Sequence, residues 1–298
     1  MSIKSLIKKE LVRQKKVINL IPSENYPSKD VLASLGSQLT SKYAEGYPGK
    51  RYYAGNKVMD GIEIETQNLA RKVFDLSGKW HVNVQPYSGS PANMAVYYAL
   101  LEPGDKIMGM SLPFGGHLSH GHKVNFSSRF YKSVQYSLGR DGFLDYEAIR
   151  KLAHKEKPKI IVAGATAYPR KFDFRKFGLI AHEVGAYFLT DISHEAGLVA
   201  AKVHPSPFPH ADVVTTTTHK TLRGPRGAVI FANKKSVIAK GHGIDIVKAV
   251  DRAVFPSLQG GPHMNTIAAI GICFEEVLNP SFKKYIKQVV KNAQVLAS

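Results

Sequence analysis

A lysine that closes a β-branched run is the first residue in this sequence with the makings of covalent chemistry. In VVTTTTHKTLRGPRG (residues 213–227) the branched residues favour an extended strand, which stops at His219-Lys220 before the turn-forming Gly224-Pro225-Arg226-Gly227. A nucleophilic amine needs partners, because a lone lysine in a basic protein is ordinarily a solvated surface charge. Asp191 ends another apolar run, and His194 follows it in DISHEAGL. Ser88-Gly89-Ser90 stands before an apolar stretch. With Ser90 as N-cap and Pro91 as first helical residue, it would offer free N–H groups and two hydroxyls to an anion. His117, His120 and His122 crowd SLPFGGHLSHGH; no carboxylate lies at ligand spacing, so a ring stacking on a planar ligand is preferred to a metal. Thr166 follows the apolar run at 159–163. Residues 43–55, YAEGYPGKRYYAG, put Tyr43, Tyr47, Tyr52 and Tyr53 beside Glu45, Lys50 and Arg51, either as a binding wall or as packing under the loop.

The elements that must position these residues follow from apolar periodicity. Helical spacing marks 3–18 (amphipathic, with lysines opposite its apolar face, suited to pack on another surface such as a second subunit), 29–42 weakly, 59–76, a helix opening at Ser90, 145–156, 174–185 and 281–298. Strand patterns mark 81–84, 106–110, 131–136, 159–163, 186–190 running into Asp191, the threonine run to Lys220, and 228–232. Alternating strands and helices predict an α/β fold with a parallel sheet covered on both faces. Ligands bind beyond the carboxyl ends of such strands, so Asp191, Thr166, Lys220 and the histidine loop should converge.

Composition narrows the setting. The 298 residues, 44% of them hydrophobic, can bury a large core as one large domain or two ordinary ones. No apolar run reaches the ~18 residues of a membrane span, and the basic N-terminus lacks the apolar core of a secretory signal. Cys273 is the sole cysteine, which excludes an internal disulfide and a cysteine metal cage; a cytoplasmic protein is expected. Lysine and arginine number 41 against 23 acids, a formal charge of +18 that should draw anions. Without an arginine-rich or aromatic-interleaved run, that charge is a weak sign of nucleic-acid binding.

An amine, a strand-end carboxylate, a stacking ring and a phosphate cradle are together what a pyridoxal-phosphate site requires. The runs KYAEGYPGKRYYAG, NVQPYSGSPAN, FGGHLSHG, DISHEAGLVA, VVTTTTHKTLRGPRG and FPSLQGGP, in that order, resemble serine hydroxymethyltransferase, a fold-type-I pyridoxal-phosphate family, from about residue 17 onward. The resemblance implies a mainly parallel seven-stranded sheet with helices on both faces. It divides the chain into an N-terminal helix and Tyr/Gly-rich arm (1–58), a cofactor-binding large domain (59–262) and helices leading to a smaller domain (263–298). It implies transfer of a hydroxymethyl group from L-serine to tetrahydrofolate, giving glycine and methylenetetrahydrofolate, through an aldimine of pyridoxal phosphate on Lys220. His219 would influence reaction specificity, Asp191 would pair with the pyridine nitrogen and His194 would support the phenolic oxygen. His117 would stack on the ring, Ser88, Gly89 and Ser90 would hold the phosphate, and Thr166 and Thr217 would complete the cofactor shell. Glu45 would serve as acid and base, entering a partner's site with Tyr43 and Tyr53, while Gly260 and Gly261 reach the partner's cofactor phosphate. Ser23 and Arg226 would contact substrate, and Leu112, Gly116, His117 and Leu118 match the family's folate-contacting segment. A homodimer with shared sites is implied, and the polyglutamate tail of folate becomes a candidate partner for the basic surface.

The family continues past the matched region into a smaller domain whose arginine clamps the substrate carboxylate, and no such segment follows residue 298. The expectation is of a chain truncated at its C-terminus, binding cofactor weakly and turning over little serine alone. Another fold-type-I enzyme (an aldolase or transaminase) and an inactive fragment with a basic nucleic-acid-binding surface are the alternatives. Tyr87, where the family often has histidine, and Pro91 and Ala228 are smaller departures.

Overall fold

Residues Ile160–Ala163 show how the frame is built. Ile160 and Val162 face one apolar layer while Ile161 and Ala163 face the other, as the two-residue period of a strand demands. A computed structural model describes all of residues 1–298. Two short strands, β1 (Gly46–Tyr47) and β2 (Lys50–Arg51), form a small ribbon. The central sheet comprises β3 (Trp80–Asn83), β4 (Lys106–Met110), β5 (Lys132–Tyr136), β6 (Ile160–Ala163), β7 (Tyr187–Asp191), β8 (Val213–Thr217) and β9 (Ala228–Asn233). Its order is β3-β9-β8-β7-β6-β4-β5; β9 runs antiparallel to both its neighbours and every other pairing is parallel.

Chain order reverses between β4 and β6: β5 lies on one side of β4, and β6, β7 and β8 follow on the other. Loops leaving β4 and β6 therefore diverge and open a crevice at the carboxyl edge, where α/β sheets bind ligands. They are pinned to each other there, since the Thr166 N–H donates to Gly115 O at 2.7 Å. Gly115 has φ +100°, a conformation that a side chain would strain.

Helices cover both faces. Gly89–Leu100 and Ile246–Arg252 lie on one layer; Lys57–Val73, Phe174–Glu183 and Met264–Leu278 lie on the other. The expected helix at 29–42 is instead an α-helix, Lys29–Leu35, and a 3₁₀ turn, Gln38–Ser41, because the Gly36 N–H caps the first on Leu32 and Ser34 carbonyls. The helix expected to open at Ser90 starts earlier: Ser88, fully extended, is the N-cap and makes no side-chain capping bond. The expected N-terminal helix forms over Ile3–Lys16 and buries no residue; Ile3, Leu6, Ile7 and Leu11 are exposed. No helix is long and apolar enough to cross a membrane.

Candidate active site

A polar cavity of about 310 Å³ opens at the carboxyl edge of β4, β6, β7 and β8. β8 and its following turn contribute Thr217, His219, Lys220 and Arg226, and β7 and its following turn contribute Asp191, Ser193 and His194. Ser88, Gly89 and Ser90 come from the helix start, His117 and His120 from the loop after β4, Ala165 and Thr166 from the loop after β6, and Ser23 from the N-terminal arm. The convergence expected of Asp191, Thr166, Lys220 and the histidine loop is thus observed.

The strand ends at Thr217, two residues before the expected stop at His219-Lys220, and Lys220 lies just beyond it, as the convergence argument requires. The chain turns sharply there: Gly224 N–H donates to Thr218 O at 2.7 Å, and the Thr218 hydroxyl donates to Pro225 O at 2.7 Å. A Cβ on Gly224 would lie 2.7 Å from Cys273 Sγ and 2.8 Å from Thr218 O, so this tight turn admits only glycine. Asn25 Nδ2 donates to Lys220 O at 2.9 Å and ties the arm to the turn. Burial draws the Lys220 amine below the ordinary lysine range; Asp191 and Glu195 oppose the shift and Arg226 assists it.

Asp191 is buried at the end of β7. Its Oδ1 accepts from the Ser193 N–H (3.1 Å) and hydroxyl (2.6 Å), and its Oδ2 accepts from Asn93 Nδ2 (2.8 Å) and faces His120 Nε2 (3.0 Å). Burial alone would raise its pKa. The bonds from His120, Ser193 and Asn93 outweigh that and hold the carboxylate ionised well below its usual range. His117, His194 and His219 are each lowered to about 4, first by burial and then by repulsion between their charged forms and a neighbour, the His120 ring for His117 and the Lys220 amine for the other two. The cavity at neutral pH thus joins a fixed anion, a softened amine and three neutral imidazoles.

His117, His120 and Asp191 place ligand atoms within 4.8 Å of one another. The carboxylate missing at local spacing is therefore supplied across the sheet, and His122 is not part of the group. These donors already engage one another, His120 with Asp191 and His117 Nδ1 with Ser119 Oγ at 2.7 Å.

Tyr43, Glu45, Tyr53, Gly260 and Gly261 do not line the Lys220 cavity of their own chain. They gather elsewhere: Tyr43 packs against Gly261 and edge-on to Tyr53, and Glu45 reaches Gly260. The Tyr87 hydroxyl donates to Gly261 O at 2.8 Å, and its ring stacks on His263 with centroids 4.2 Å apart. Arg51 holds the tyrosine loop, donating to Asp60, to Glu63 and to the Ala44 and Gly46 carbonyls at 2.7–2.8 Å with only 4% of its side chain exposed. It is consumed by the fold and cannot serve a binding wall as the loop composition suggested. Leu112 and Leu118 are exposed on the loop after β4, and Gly116 O accepts from the Thr166 hydroxyl at 3.4 Å; none of the three lines the cavity.

Asn93, Ser119, Ser193 and Glu195 escaped the sequence reading as functional residues. Asn93 follows Ser90 by three positions, so it shares that helical face; Glu195 is an acid directly before the apolar run Ala196–Ala201.

A mainly parallel seven-stranded sheet that presents a buried lysine and a buried carboxylate to one polar cavity at its carboxyl edge defines the large domain of a fold-type-I transferase. The family model described as serine hydroxymethyltransferase matches residues 1–298. Over 293 residues the chain is 57% identical to the serine hydroxymethyltransferase of Desulfotalea psychrophila (strain LSv54 / DSM 12343), a match covering 98% of this chain. The chain belongs to the serine hydroxymethyltransferase family and spans 66% of the length of that relative.

Proposed function

We propose that this chain binds pyridoxal phosphate at Lys220 and serves hydroxymethyl transfer between L-serine and glycine, with tetrahydrofolate as the one-carbon partner. The observation that carries the proposal is the Lys220 amine, softened by burial, sharing a polar cavity with the ionised Asp191. The residues present fit the cofactor. Thr217 Oγ1 is enclosed without a partner, and the Ser88 hydroxyl is free of capping duty beside the N–H groups of a twelve-residue helix. Gly89 packs so closely that a Cβ would stand 2.7 Å from Thr217 Cγ2, which leaves the backbone bare toward the cavity.

When bound, the cofactor supplies an electron sink for the charge left at Cα as the hydroxymethyl group departs. The protein's own groups do the rest. Lys220 offers an amine with an enlarged neutral fraction for attachment, and Asp191 keeps a proton on the facing ring nitrogen. His117 covers the ring, Ser88, Gly89 and Ser90 hold the phosphate, and His194, Thr166 and Thr217 complete the shell. His219, uncharged beside Lys220, influences which bond is broken, and Ser23 and Arg226 meet the substrate. Glu45, Tyr43, Tyr53, Gly260 and Gly261 act on the cavity of a second copy, which their separation from Lys220 in one chain supports. Leu112, Gly116 and Leu118 contact folate, whose polyglutamate tail the positive surface favours. The setting is cytoplasmic.

Mixing the chain with pyridoxal phosphate should give a borohydride-fixable attachment that Lys220→Ala abolishes. Serine should then alter the bound-cofactor spectrum, with a further change on adding tetrahydrofolate. Attachment that survives Lys220→Ala would overturn the assignment.

A further inference from the structure

An unbroken run of hydrogen bonds joins Asp191 to the ring of His117, and its polarity is set at both ends. Asp191 Oδ2 can only accept, so the group 2.8 Å away on Asn93 is the amide nitrogen; consistently, Asn93 Oδ1 accepts from the Thr215 hydroxyl at 2.7 Å. The second hydrogen of that nitrogen goes to Ser119 Oγ at 3.0 Å. Having accepted there, the Ser119 hydroxyl is free to donate to His117 Nδ1, 2.7 Å away. The Ser119 backbone N–H, which cannot accept, donates to the same nitrogen at 3.2 Å. Asn93 and Ser119 are both fully buried, and the Tyr97 hydroxyl, donating to Ser119 O at 2.9 Å, fixes the loop that carries the serine.

We propose that Ser119 and Asn93 are positioning residues that lock His117 into its Nε2–H tautomer and so present an uncharged, oriented ring to the cavity. Two donors converge on Nδ1, which leaves no room for a proton there and makes Nε2–H the only donor the ring can offer. An uncharged ring is what stacking on a protonated pyridine demands, since an imidazolium would repel it. The proposal rests on the pyridoxal-phosphate reading for its purpose, though not for its geometry.

The test separates the two. In ¹⁵N-histidine-labelled, cofactor-free protein, with His117 assigned by its loss in His117→Gln, long-range ¹H–¹⁵N spectra should show one Nε2–H tautomer. Ser119→Ala, which leaves the backbone N–H as the one remaining donor to Nδ1, should admit a measurable fraction of the Nδ1–H form and raise the His117 titration by about half a unit to one unit. Ser119→Thr, which keeps the hydroxyl, should restore both features. Pyridoxal phosphate should bind about tenfold more weakly to Ser119→Ala than to Ser119→Thr. An unchanged tautomer and titration in Ser119→Ala would overturn the proposal; should that variant not fold, an Nδ1–H tautomer in the unsubstituted protein or in Ser119→Thr would do so. Failure of every form, unsubstituted protein included, to bind pyridoxal phosphate would instead remove the cofactor reading and leave the tautomer result standing.

Discussion

Replacing Glu195 with leucine should make the protein more stable in mild alkali. The Glu195 Oε2 atom is enclosed with no hydrogen-bond partner, and burial, reinforced by the Asp191 charge, raises the carboxyl from 4.5 to about 8. Between those values the folded chain holds a proton that the unfolded chain has released. Stability present below pH 4.5 is therefore lost as pH rises toward 8, at a slope of ~1.4 kcal/mol per unit. Across the whole window that slope amounts to ~5 kcal/mol; the residue keeps some surface exposure, and discounting for solvent screening leaves ~2 kcal/mol. Glu195→Leu removes both the titration and the unpartnered oxygen. Urea unfolding followed by circular dichroism at about pH 5 and about pH 8.5 reads the effect: the unsubstituted midpoint should fall more steeply with pH than that of the variant. Curves that stay parallel would refute the reasoning, because every other titrating group is common to both proteins.

Three further outcomes are expected. His117, His194 and His219 titrate at about 4 when folded and near 6.5 when not, so the unfolded chain takes up more protons as pH falls through that window; thermal midpoints should drop between about pH 6.5 and pH 4.5, and less so in His194→Gln. Gly89→Ala should force Thr217 aside at a cost of ~1–3 kcal/mol and weaken pyridoxal-phosphate binding, measured by absorbance titration. Arg51→Met should cost ~3 kcal/mol or more in thermal stability and expose residues 43–55 to limited proteolysis, because Glu63, with none of its side chain exposed, would lose its counter-charge.

The sheet was legible because its strands carry period-two or unbroken apolar runs: Lys106–Met110 was expected to the residue, and Ala228–Asn233 within one. Helix Met264–Leu278 carries little polar contrast to mark it; eight of its residues are buried, so no helical stripe divides an apolar face from a wet one. The cavity was legible at strand ends, where Asp191 and the Lys220 turn follow their apolar runs directly. What holds Asp191 was not. Asn93 lies 98 positions away from it and His120 lies 71 away, pairings that only the crossing of helix and loop over the sheet brings about. Ser88 was passed over as N-cap in favour of Ser90 because the Ser-Pro pair is a stronger local signal than an extended serine whose hydroxyl is left free.

Under the proposed action of Glu45 on a second copy, Arg51 bears on how quickly two copies of this chain would meet. A loop left loose until contact would lose ~1–2 kcal/mol of backbone freedom per residue as the complex formed. Arg51, bonded to the carbonyls on either side of Glu45 and to carboxylates on the following helix, settles that loss while its own chain folds. Association can then proceed as a docking of preformed surfaces, limited by encounter and orientation and not by the ordering of the segment that bears the acid.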